Sequence, residues 1–257
     1  MTQRKTALVT GSGTGVGAAT ALQLAQRGWN VVINYSRSAD EAQQSAAACR
    51  DAGADVLLQQ ADVADDAQCR ALVDATVARW GRLDALVNNA GVSVFGQAAS
   101  WDALDAAAFQ KILGVNTVGT FQMVRAAVPH LQAAQGCIVN VSSVAGSLGI
   151  GSSVPYIASK GALNAMTLHL ARTLAPAVRL NAVSPGLITS RWFSRGMGDA
   201  AYEKVRAAYE ADVPLGRACS PEDVAEAIVW LVDGARTVTG ELLLLDSGTH
   251  LGRAARR

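Results

Sequence analysis

Seven short apolar runs recur along this chain, at residues 6–10, 30–34, 55–60, 83–88, 137–142, 178–183 and 241–246, and helical spacing fills most of the intervals between them. Most of the runs are continuously apolar rather than alternating, which marks strands covered on both faces. The helical stretches stop where helices stop: 16–27 ends at Gly28, 66–80 at Gly81, and a long region from about 105 to 135 at Gly136. Ser38, with Glu41 three residues on, has the form of a capping box for a helix ending near Gly53. Ser220 and Pro221 supply an N-cap and a first-turn proline for a late helix. This alternation predicts an α/β fold, a doubly wound, seven-stranded parallel sheet with helices on both faces. No linker, repeat or low-complexity tract interrupts it, so residues 1–257 read as a single domain.

Composition narrows the partners. Half of the residues are hydrophobic and the net charge is +1, so nothing draws the chain as a whole to nucleic acid or to a membrane surface. Only the tail, with Arg253, Arg256 and Arg257, is basic, and it reads as a solvated terminus. Cys49, Cys69, Cys137 and Cys219 are scattered, with no C-x-x-C pair and no histidine at ligand spacing, so neither a metal site nor a disulfide framework is indicated. Reduced, buried thiols in a cytoplasmic protein are expected. Residues 1–5 lead straight into the first strand, so no signal peptide is expected, and no apolar run approaches the ~18 residues of a membrane span.

The first strand-to-helix turn reads Thr10-Gly-Ser-Gly-Thr-Gly-Val-Gly17, with Gly11, Ser12, Thr14, Gly15, Val16 and Gly17 placed to offer backbone N–H groups and a helix N-terminus to a phosphate. At the first turn of a doubly wound sheet, such a loop points to a dinucleotide. A ribose with a free 2′-hydroxyl usually meets an acid at the end of the second strand. Residues 34–38 here contain none, and Ser36 and Arg37 suit a 2′-phosphate, so NADP(H) is favoured over NAD(H). Asp62, with Val63 beside it, either accepts from an adenine amino group or only stabilises a turn. Asn88, Asn89, Ala90 and Gly91 follow the fourth strand, at the sheet edge where ligands bind. His130, His169 and His250 read as structural or solvated. Tyr156 and Lys160, four residues apart, share one helix face, with Ser142 and Ser143 upstream. A cation beside a phenol favours the phenolate, so Lys160 is expected to lower the Tyr156 pKa towards a useful acid-base range.

Together these motifs resemble the short-chain dehydrogenases/reductases in their single-domain, Rossmann-type form, from about residue 6 to 248, and most nearly the 3-oxoacyl-acyl-carrier-protein reductase type. The resemblance implies hydride transfer between a nicotinamide cofactor and a carbonyl or secondary alcohol. It assigns Tyr156 as proton donor or acceptor, Ser143 as the hydroxyl orienting the carbonyl oxygen, and Lys160 as the residue holding the nicotinamide ribose. Asn116 would keep a water in a proton relay. Pro185, Gly186, Ile188 and Thr189 would form the nicotinamide-side loop, with Thr189 at the carboxamide. It also implies a homotetramer, or a homodimer, built on the helices near 105–135 and 155–175. A dinucleotide-binding sensor without turnover is the competing reading. Residues 187–215 escape the strand-helix rhythm and form either a substrate-binding lid or a helical hairpin packed on the body. Within that segment, Arg191 and Arg195 face either solvent or an anionic substrate.

Overall fold

Alternate residues of each strand serve opposite layers. Ala7 and Val9 of β1 (Thr6–Val9) join Leu24, Ile33 and Cys49 in one apolar cluster, while Leu8 joins Leu72, Leu86 and Met123 in the other. The computed structural model describes residues 3–95, 102 and 104–253. After β1 come α1 (Gly15–Gln26), β2 (Asn30–Tyr35), α2 (Ala39–Asp51), β3 (Val56–Gln60), α3 (Asp66–Trp80) and β4 (Ala85–Asn88). The second half holds α4 (Ala106–Leu113), α5 (Thr120–Ala134), β5 (Cys137–Val141), α6 (Ala145–Leu148), α7 (Val154–Leu174) and β6 (Arg179–Pro185). Then follow α8 (Arg191–Met197), α9 (Asp199–Asp212), α10 (Pro221–Val229) and β7 (Leu242–Leu245).

The seven strands form one sheet in the order β3-β2-β1-β4-β5-β6-β7, and every neighbouring pair is parallel. The chain winds outward from β1 to β3, then returns to β4 on the other side of β1, in register Ala7↔Ala85, Leu8↔Leu86 and Val9↔Val87. The loops leaving β1 and β4 therefore diverge, and the crevice between them is where such sheets take ligands. This is the predicted fold, with strand ends displaced by one or two residues.

Local signals hold where they are self-contained. Asp65 caps α3 by accepting from the Ala67 and Gln68 N–H groups, and Gly81 ends it in the left-handed region at φ 69°. Ser220 and Asp223 form a reciprocal capping box on α10. All four cysteines are buried and free. No helix among the described residues is long and apolar enough to cross a membrane.

Tertiary contacts override the sequence elsewhere. Ser38 stands at the N-cap of α2 but its hydroxyl caps nothing, so the expected capping box does not form. Glu41 instead faces Arg191 of α8 at 3.6 Å, so Arg191 is not simply a solvated charge. The helix expected over 105–135 is interrupted by a π turn, Gly114–Gly119, whose wider winding carries Asn116. Residues 187–215 contain α8 and α9, a helical pair joined at Gly198. The side chains of Phe193 and Arg195, and Arg256 and Arg257 of the basic tail, lie outside the described residues.

Candidate active site

The glycine loop is held in place by side-chain hydrogen bonds from the neighbouring strand ends. Thr10 Oγ1 accepts from the Asn89 and Ala90 N–H groups, both at 3.0 Å, and Asn89 Nδ2 donates to the carbonyls of Thr10 (2.9 Å) and Gly11 (3.1 Å). These bonds tie the β1 and β4 loops together. A Cβ at Gly17 would fall 2.5 Å from Asn89 Nδ2 and 2.6 Å from the Gly11 carbonyl oxygen, so only glycine lets α1 come this close. Asn34 Oδ1 accepts from the Gly11 N–H at 3.1 Å, and its Nδ2 donates to the Ala61 carbonyl at 3.1 Å. Ser12 is fully buried, its hydroxyl donating to Val9 O and accepting from Asn34 N. Of the loop residues named from sequence, Gly11, Thr14, Gly15 and Val16 line the cleft, whereas Ser12 and Gly17 belong to its support.

That cleft has a volume of about 1380 Å³ and runs along the carboxyl ends of the central strands. Thr14 caps α1 with no side-chain bond, which leaves first-turn N–H groups open to an anion beside glycines that admit it closely. The donor chemistry of this cradle fits a dinucleotide. Ser36, Arg37, Asp62 and Val63 line the wall beyond β2 and β3. Arg37 is exposed, with no ion pair or hydrogen bond to any described residue. Asp62 lies on the cleft wall and also serves its turn, accepting from the Ala64 N–H at 3.0 Å. Ala90, Gly91, Pro185, Gly186, Ile188 and Thr189 complete the facing wall, where the Thr189 N–H donates to the Cys219 carbonyl at 2.8 Å.

Tyr156 and Lys160 share their face of α7 with Asn164 and Thr167, an i, i+4, i+8, i+11 stripe that is polar although it is packed against the sheet. Each group on it finds a partner. Lys160 Nζ donates to the Val141 carbonyl at 2.7 Å, Asn164 Oδ1 accepts from Ser142 Oγ at 2.5 Å, and Thr167 Oγ1 accepts from Asn140 Nδ2 at 2.9 Å. Ser142 is thus engaged with Asn164, whereas Ser143 is hydrogen-bonded to the Tyr156 hydroxyl. Asn116 is wholly buried: its Oδ1 accepts from the Val92 N–H (2.8 Å), and its Nδ2 donates to the Val92 carbonyl and to Ser159 Oγ, both at 3.0 Å. The structure therefore brings Ser143, Tyr156 and Lys160 together on the cleft wall and sets Asn116 behind them.

The electrostatics differ from the sequence expectation. Burial pushes the Tyr156 phenol up to about 12, and only the Ser143 hydrogen bond acts downward. Lys160, with its Nζ 5.7 Å from the Tyr156 ring centroid, does not reverse this, because burial also presses its own pKa down to about 8. The phenol consequently keeps its proton at neutral pH, which suits a donor. Asn34 and Ser159 escaped the sequence reading because a clamp leaves no spacing signature. Trp192 of α8, whose ring centroid lies 5.7 Å from that of Tyr156, was visible only as part of an irregular segment.

A family model described as enoyl-(acyl carrier protein) reductase matches residues 11–250. The chain is 46% identical to a putative ketoacyl reductase 2 of the granaticin polyketide synthase from Streptomyces violaceoruber, covering 95% of this chain and 96% of that one. It is 32% identical to a 3-oxoacyl-[acyl-carrier-protein] reductase, FabG, of Staphylococcus aureus, covering 98% and 100%. A crystal structure of a putative short-chain dehydrogenase/reductase from Burkholderia xenovorans superposes with a TM-score of 0.91 at 40% identity, covering 98% and 100%.

Proposed function

The chain belongs to the short-chain dehydrogenase/reductase family of oxidoreductases, and from that premise we propose that it reduces a carbonyl substrate with NADPH, Tyr156 giving the proton. The observation that carries this reading is the neutral Tyr156 phenol, hydrogen-bonded to Ser143 and beside Lys160, on the wall of the cleft that the glycine loop opens. When bound, the nicotinamide supplies the hydride. The loop glycines and the first turn of α1 would hold the pyrophosphate, Arg37 and Ser36 would take the 2′-phosphate, and Thr189 and Ile188 would face the nicotinamide. Ser143 orients the carbonyl oxygen towards the Tyr156 hydroxyl. Lys160, which holds its proton below about pH 8, keeps an ammonium beside the Tyr156 ring and offsets charge developing on the phenol.

Asn116 acts on position: by clamping Val92 and Ser159, it holds the β4 loop against α7. A water relay from Tyr156 past Lys160 would then start from a fixed wall. Residues 187–215 serve as the substrate-side cover, since Trp192, Met197 and Tyr209 all reach the cleft. Exposed Val118 and Phe121 near the start of α5 and Leu168 on α7 support association of these helices with other copies, as a homotetramer or homodimer. Four free buried thiols accord with a cytoplasmic setting. The test is consumption of NADPH and NADH with a broad panel of ketones, followed in absorbance. NADPH-dependent reduction is expected, and no consumption of either cofactor would remove the reading.

A further inference from the structure

The part of the cleft around the Tyr156 hydroxyl has its own chemistry. Phe95, from the β4 loop, meets Trp192 of α8 edge-on, with ring centroids 4.9 Å apart and planes at 74°. Trp192 in turn lies 5.7 Å from the Tyr156 ring at 47°, so three aromatic rings form one continuous wall at the candidate proton donor. All three line the cleft. Aromatic walls of this kind favour flat or ring-shaped apolar ligands through face and edge contacts.

Within that wall stands one pair of hydroxyls. Ser93 Oγ and Ser152 Oγ are 2.5 Å apart, half-buried, and both line the cleft. Their positions are fixed from two sides. Ser93 follows Val92, whose N–H and carbonyl are both held by Asn116, and Ser152 follows Gly151, which packs against the Tyr156 ring edge. Two hydroxyls sharing one hydrogen bond retain lone pairs and one further proton, held only by a 3.4 Å bond from Ser93 Oγ to the Val94 carbonyl, so the pair can both donate to and accept from a ligand oxygen.

Three of the charged residues on the cleft wall are placed by their elements and partners. Arg37 stands past the end of β2, Asp62 past β3, and Arg191 reaches Glu41 of α2. We infer that this cleft selects a ring ketone, aromatic or alicyclic, that carries a second oxygen resting against the Ser93–Ser152 pair. The inference rests on the hydride-transfer reading above and deepens it by naming the substrate class.

The test uses the full chain with NADPH and three kinds of probe: 1-tetralone, 1-tetralones bearing a single hydroxyl at different ring positions, and the linear ketone 2-decanone. The expected result is a higher kcat/KM for the bicyclic ketones than for the linear one. At least one hydroxylated tetralone should exceed its parent by about three- to tenfold, the range of one neutral hydrogen bond. Ser152→Ala should bring that hydroxylated-to-parent ratio close to one, with Ser93→Ala as the second variant, and Trp192→Ala should collapse the bicyclic-to-linear ratio. Equal turnover of linear and bicyclic ketones, or ratios that survive these substitutions, would overturn the inference while leaving hydride transfer intact. Should wild type turn over no ketone, hydride transfer fails instead. Quenching of tryptophan fluorescence by 1-tetralone then decides: saturable quenching that is lost in Trp192→Ala keeps the ring-binding cleft, and its absence overturns it.

Discussion

Replacing Lys160 by methionine should stabilise the protein while abolishing its turnover. The ammonium is 4% exposed and its pKa is pressed from 10.5 down to about 8 by burial alone. A depression of that size corresponds to roughly 3 kcal/mol of unfavourable burial near neutral pH. Methionine keeps the apolar stem but leaves the Val141 carbonyl without its 2.7 Å donor, which returns about 1–2 kcal/mol. The net gain is therefore about 1–2 kcal/mol, or a few degrees in Tm for a chain of this size. The pH dependence identifies the cause. Below about pH 8 the lysine is charged in both folded and unfolded chains and the penalty is complete; between about 8 and 10.5 the folded form has shed its proton while the unfolded form still holds one, so wild-type stability gains with rising pH. Above 10.5 both are neutral. Urea unfolding followed by circular dichroism across this range should show the Lys160→Met advantage shrinking as pH rises, since groups that titrate equally in both proteins cancel in the difference. A variant less stable than wild type near neutral pH, or an advantage independent of pH, would refute the argument.

Three further outcomes follow from the same geometry. Arg37→Ala should weaken NADPH binding by about 10- to 100-fold, the worth of a charge-assisted hydrogen bond, and leave NADH binding unchanged in titration calorimetry. Gly146→Ala would place a Cβ 2.6 Å from the Lys160 carbonyl and 2.8 Å from Asn164 Nδ2, forcing α6 off α7; a loss of about 1–3 kcal/mol in urea unfolding is expected. In the reductive direction, kcat/KM should fall as pH rises through about 8, where free-enzyme Lys160 loses its charge, with no break from Tyr156 until far higher pH. A profile flat through that range would remove Lys160 from the protonation account.

Much of this architecture is legible in the sequence because its signals are local. The α3 boundaries follow from a capping aspartate and a left-handed glycine, both of which act within a few residues. The continuous apolar runs announce a sheet covered on both faces, and the i, i+4 spacing sets Tyr156 and Lys160 on one face of α7. What escaped depends on partners distant in the chain. The Ser38 box does not form, and Glu41 lies instead against Arg191, 150 residues away in sequence. The π turn at Asn116 has the same apolar pattern as an α-helix, and it is the tertiary pull of Val92 and Ser159 that accompanies the wider winding. Charge spacing likewise suggested a lowered Tyr156 pKa, but spacing carries no information on desolvation, and desolvation decides the sign. The aromatic wall joins Phe95 of the β4 loop to Trp192 of α8, residues that only the fold makes neighbours.

The central claim is that Tyr156 gives the proton when hydride reaches the carbonyl. Tyr156→Phe keeps the ring beside Trp192 and removes only the hydroxyl bonded to Ser143. The measurement is single-turnover reduction of a ketone with NADPH, paired with NADPH affinity by fluorescence titration. The account predicts a loss of about 10²- to 10⁴-fold in rate with affinity nearly unchanged. Turnover at the wild-type rate would contradict it.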